Sequence, residues 1–186
     1  MFLDIGVGFI ISIFAAELFA APLNFNLIFW SVSFSLLPDL DFFIEFFKRG
    51  QVGGRVLGEH RALTHFPLTF LPLIVIVWFI FGRAFAFISF AGLLFHFLHD
   101  SVFLGWGIKW LWPLRNRTYK FFVDPSTGWW SFKKFLHSWN DIELRKIAAI
   151  HGDPDWIKNF YLKPHPIAII ETGGFLFCLF ILLLFL

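Results

Sequence analysis

AFAFISFAGLLFHFLHD, residues 84–100, decides what kind of chain this is. Up to Phe95 it offers apolar side chains broken only by Ser89 and Gly92. With its flanks it approaches the roughly 20 residues that an α-helix needs to cross hydrocarbon. It then closes on His96, His99 and Asp100. Ionisable side chains are expensive at that depth, and their presence points to a site where each has a partner.

The rest of the chain has the same character. Of 186 residues, 58% are hydrophobic, 22% aromatic and only 15% charged, whereas a soluble domain runs at about 45–50% apolar and about 25% charged. Mean hydropathy is +0.74. The composition implies an integral membrane protein. A net charge of +2 supplies no polybasic surface for nucleic acid. The single Cys178 lies in the last apolar run, which excludes an internal disulfide and a thiolate metal site. No Lys or Arg precedes the first apolar stretch, so Met1–Ala21 is read as a retained helix and not a cleaved signal.

Hydropathy predicts five spans, near 3–21, 25–37, 66–81, 84–100 and 167–186. The fold class expected is all-α, a polytopic membrane helix bundle forming one membrane-embedded domain over 1–186. Pro38 should break or kink the second helix before Phe42–Phe47. KRGQVGGRVLGEHRA, 48–62, is glycine-rich and charged, hence a solvated loop. Trp106, Trp110, Trp112, Trp129 and Trp130 form an interfacial aromatic cluster. Residues 115–165 form a cytoplasmic-face insertion, in which Phe132, Phe135, Leu136, Trp139, Ile142 and Ile147 predict an amphipathic surface helix over 131–150. Gly152 fits its stop, and Asp153 and Pro154 fit the cap and first position of another helix. Five spans put every Lys and Arg except Arg83 on one side, which the charge rule makes cytoplasmic.

That side gathers the polar groups. Asp39 and Asp41 end helix two, His60 and His65 flank the start of helix three, and His96 and Asp100 end helix four. Asp4 in helix one and Glu171 in helix five fall at the same depth. His96 and Asp100, four apart, share one helix face. Imidazole nitrogen with carboxylate oxygen suits Zn²⁺ or a similar divalent ion. His65, His96, Asp39 and Asp100 are the expected ligands. His60 and Asp41 are ligands or supports of ligands, with one carboxylate serving as general base, and His99 is a further neighbour. His137 and Asp141 repeat the four-residue spacing, but on the surface helix solvation explains them.

LPDLD (37–41), HRALTH (60–65), the His96–Asp100 pair and GWGIKWLWPL (105–114) resemble the bacterial and archaeal YdjM-like family of membrane-bound, predicted metal-dependent hydrolases. The resemblance implies metal-dependent hydrolysis in the cell membrane of a prokaryote, with Asp39, His60, His65, His96 and Asp100 on the matching positions. Where that family carries a histidine within its first residues, this chain has Asp4 as the nearest polar group. The same elements are similar to the ligand sequence of zinc-dependent phospholipase C, which implies one to three ions, zinc or manganese, and a phosphoester. A lipid or lipid-linked phosphoester in the membrane is the expected substrate, with Arg61 and Lys109 as phosphate contacts. The alternative is an ion or metal transporter using the same ligands. A transporter usually has midplane sites on broken helices, often with inverted repeats, and no repeat is visible here.

Overall fold

The computed structural model describes residues 1–57, 61, 64–103, 105–124, 129–131 and 134–186. Its elements are α1 (Phe2–Phe19), α2 (Phe25–Leu36), α3 (Leu40–Arg49), α4 (Leu71–Phe81) and α5 (Arg83–Val102). These are followed by β1 (Thr118–Phe121), β2 (Val123–Asp124), β3 (Trp129–Trp130) and β4 (Leu136–Trp139), then α6 (Asp141–His151), α7 (Trp156–Phe160) and α8 (Pro166–Phe185). The protein is mostly helical. Four helical runs are long and apolar enough to cross a membrane: Phe2–Phe19, Phe25–Arg49, Arg83–Val102 and Pro166–Phe185. A shorter apolar helix spans Pro67–Phe81. Pro38 sits in a 3₁₀ turn, Leu37–Asp39, joining α2 to α3, because a proline inside an α-helix removes a backbone donor and crowds the preceding turn.

Two compact units emerge: Met1–Pro38 with Phe70–His96 and Pro164–Leu186, and Asp39–Thr69 with Phe97–Lys163. The first, the helical unit, packs α1 against α2 and α8. Its core joins Ile11, Ala15, Ala16, Leu27 and Ile88. Gly8 lets two backbones meet, since a Cβ there would stand 2.8 Å from the Cα of Val32. Ser31 Oγ in α2 donates to the Gly8 carbonyl at 2.7 Å across the same contact. Asn24 caps α2 by accepting from the Leu27 amide, and His165 caps α8 ahead of Pro166.

The second, the mixed unit, holds what hydropathy did not foresee. β1 pairs antiparallel with β4, setting Lys120 opposite His137, and β2 pairs with β3. The helix expected over 131–150 therefore begins only at Asp141. Asn140 accepts from the Ile142 and Glu143 amides while the Glu143 carboxylate accepts from the Asn140 amide, a reciprocal cap that starts the helix there. Residues 136–139 are already used in the hairpin, so the apolar spacing across 132–142 spans two elements. His137 consequently lies on a strand and Asp141 on a helix. Gly152 does end α6, its N–H bonding to Ala148 O. The next helix starts two residues later than the Asp153–Pro154 signal, with Asp155 as cap and Asp153 Oδ1 accepting from the Asp155 amide. The turn after α3 is held in this unit by Glu45, which accepts from Gly53 N–H at 3.0 Å, and by Trp156, whose indole donates to Val52 O.

Candidate metal centre

In the helical unit, α5 carries His96, which is 1% exposed. Its Nδ1 lies 2.8 Å from the Ser35 carbonyl and 3.5 Å from Asp4 Oδ1. A carbonyl only accepts, so Nδ1 carries a proton, and in the neutral ring Nε2 is the nitrogen that can take a metal. Asp4 and Glu171 are both buried to 1% exposure. The α-amino group of Met1 lies 2.8 Å from Asp4 Oδ2 and 3.2 Å from Glu171 Oε2.

The mixed unit builds its cluster around His65, which has no exposed surface. Nδ1 faces Asp41 Oδ2 at 3.2 Å. Nε2 faces Asp100 Oδ2 at 3.0 Å and Asp39 Oδ1 at 3.8 Å. Asp41 Oδ2 also accepts the Arg61 backbone N–H at 2.8 Å, which fixes the carboxylate that orients the ring. Asp41 Oδ2 thus meets both the His65 ring and the Arg61 backbone. This is the arrangement by which carboxylates set the tautomer and basicity of metal-binding imidazoles. Burial opposes charge on His65, but hydrogen bonds to Asp100 and Asp41 outweigh it and raise the imidazole pKa to about 9.

Arg61 donates from Nη2 to Asp100 Oδ1 at 2.6 Å, and its own backbone is left-handed, with φ at 67°. The guanidinium lies against Gly105. Gly105 also has a left-handed backbone, with φ at 91°, which favours glycine. Lys120 in β1 is fully buried; its ammonium donates to the carbonyls of Asp100 and Phe103. Desolvation and then the Arg61 charge push its pKa well below the usual lysine value, against the pull of Asp100. No pattern in the sequence marked Lys120 beyond one cation set in the aromatic run TYKFF.

Asp39, His65 and His96 are buried, and each can offer one ligand atom, all within 4.8 Å of one another. The group could hold a metal ion. Two imidazoles and a carboxylate form a donor set that suits zinc. His60 lies outside the described residues. His99 packs edge-on to Phe103 at 4.9 Å between ring centres. Lys109 pairs with Asp141 Oδ1 at 2.7 Å and donates to Asn116 Oδ1 at 2.6 Å, an engagement at the start of α6. Hydrogen bonding from Lys109 lowers the pKa of the Asp141 carboxyl. Trp110 donates its indole N–H to Ser101 Oγ at 2.8 Å, and Ser101 Oγ donates to Phe97 O.

The chain matches the YdjM inner membrane protein family over residues 4–186 and belongs to it. No curated protein and no solved structure gives a significant match.

Proposed function

We propose that this inner membrane protein is a metal-dependent hydrolase acting on a phosphoester of a lipid or lipid-linked substrate at the cytoplasmic face. The observation that carries the reading is the buried group Asp39, His65 and His96, with one potential ligand atom from each within 4.8 Å. These three would hold the ion, with Asp100 beside His65 Nε2. A divalent ion bound there lowers the pKa of water and polarises a phosphoryl oxygen.

The chain's own residues supply the rest. Asp41 keeps the His65 ring turned so that Nε2 faces Asp39 and Asp100. Arg61, whose guanidinium already grips a carboxylate oxygen, offers the planar fork that suits phosphate as well. One carboxylate of the cluster, Asp39 or Asp41, would accept the proton of the attacking water as the P–O bond to the leaving group breaks, and would return it to the leaving oxygen. The interfacial tryptophans Trp106 and Trp110 would hold the substrate's apolar body. The Lys and Arg distribution, with Arg83 alone on the other side of the predicted topology, supports the cytoplasmic placement.

The experiment is phosphate or head-group release from mixed lipid vesicles by the purified protein, chelated and then supplied with Zn²⁺ or Mn²⁺. Turnover that needs the metal and is lost in Asp39→Asn supports the hydrolase. Absence of turnover across a broad phosphoester panel, together with metal uptake into vesicles carrying the protein, would replace it with the transporter reading.

A further inference from the structure

The mixed unit contains a buried cation that neither the metal group nor the hydrolytic chemistry uses. Lys120 is 0% exposed on β1, and lysine is almost never fully buried unless paired. Its partners are two backbone carbonyls in the last turn of α5 and just beyond it, those of Asp100 and Phe103. The final carbonyls of a helix have no partner within the helix and form the negative end of its dipole. A lysine ammonium with three donors meets both needs, and it does so at the residue that bears the Asp100 carboxylate.

β1 is anchored so that this reach is fixed. Tyr119 exchanges both backbone hydrogen bonds with Ile108, at 2.8 and 3.1 Å. A Cβ on Gly107 would collide with the Tyr119 carbonyl, so glycine lets the strand run close to the 105–110 turn. The neighbours of Lys120 on β1 pair with β4, which leads directly into the capped start of α6.

We propose that Lys120 is a positioning residue of the metal centre: by clamping the end carbonyls of α5 it holds Asp100 in register with His65 and Arg61. Lys120 is thus a side chain by which the insertion between α5 and α8 acts on the site. The inference rests on the metal reading for its functional half, and on hydrogen-bond geometry alone for its structural half.

The test uses the purified full-length protein in nanodiscs. Zn²⁺ affinity and the visible spectrum of the Co²⁺ form are measured for wild type, Lys120→Met and Lys120→Arg, each also in an Asp100→Asn background. Amide hydrogen exchange over Phe97–Phe103 is followed in the metal-free proteins. Loss of a group that supports metal ligands costs about 10–100-fold in affinity. Lys120→Met should show that loss with an altered Co²⁺ spectrum and faster exchange, Lys120→Arg should recover most of it, and Asp100→Asn should abolish the difference between them. Lowered thermal stability with unchanged Zn²⁺ affinity, spectrum and exchange would overturn the proposal. Wild-type protein that takes up no Zn²⁺ sinks the metal reading instead, and exchange over Phe97–Phe103 then decides the clamp by itself, unchanged protection in Lys120→Met refuting it. Lys120→Gln, which keeps a donor without charge, is judged by the same criteria if Lys120→Met does not fold.

Discussion

The helical unit and the mixed unit solve the same problem, buried polar groups, by different means. Most in the helical unit are serine hydroxyls closed onto backbone carbonyls: Ser12 onto Phe9, Ser31 onto Gly8, Ser35 onto Ser31, Ser89 onto Ala86. Each is neutral and three of the four stay within one helix, so each costs little in a low-dielectric medium and lets helices approach closely. The mixed unit buries charges against charges: Asp41 and Asp100 around His65, Arg61 on Asp100, Arg49 on Glu45. Removing one partner there leaves an uncompensated ion, which is the costly case. Uncharged hydroxyls hold helices together; networks of ions are the arrangement on which chemistry can be built.

Metal loading should break this comparison most sharply. Wild-type protein should retain zinc stoichiometrically, and a His65→Ala/His96→Ala double variant should retain none on metal analysis after dialysis. Asp41→Asn, which disturbs the contacts of Asp41 with His65 and the Arg61 amide, should weaken binding by about 10–100-fold. Undiminished metal in the double variant would remove both histidines from the assignment.

Next in size is a pH effect confined to the charged cluster. The folded His65 pKa of about 9 exceeds the unfolded value of 6.5. In metal-free protein its proton therefore contributes stability that is complete below about pH 6.5 and lost as pH rises through about 9. The thermal midpoint of chelated protein should fall across that window and lose this fall in His65→Gln. Zinc affinity should move the opposite way, climbing over the same window because the ion must displace that proton. A midpoint that ignores pH in wild type contradicts the cluster's charge state.

A steric change tests the neutral packing. Gly8→Val would push a branched side chain into the Val32 backbone and should destabilise by about 1–3 kcal/mol, read as a lowered unfolding midpoint with zinc affinity per folded molecule unchanged. The smallest effect expected is at the start of α6. Asn140→Ala removes the side-chain half of the cap and should cost about 1 kcal/mol, with the rest of the mixed unit intact.

Legibility followed the same division. The helical unit could be read almost residue by residue: α1, α2, α5 and α8 lie within a few residues of their hydropathic spans, because apolar runs of that length have few other ways to satisfy their backbone. In the mixed unit the sequence marked the polar residues but not the form that carries them. The run from Phe132 to Ile142 fits helical spacing, and only pairing with Thr118–Phe121, distant in sequence, turned Leu136–Trp139 into a strand. Lys120 gave no warning, since one lysine among aromatics reads equally well as an exposed residue.

By itself, the sequence determined that the chain belongs in a membrane and where its long apolar helices lie, and it marked the histidines and aspartates whose side chains suit a metal ion. These follow from local quantities, hydropathy and helical period, that each segment carries alone. Tertiary structure decided that Asp41 turns toward His65 Nδ1 while Asp39 and Asp100 face Nε2, that the Ser35 carbonyl sets the His96 tautomer, and that Lys120 closes the end of α5. Those choices depend on which donor finds which acceptor across tens of residues. A buried polar group takes the partner the fold brings within about 3 Å, not the one nearest in the chain.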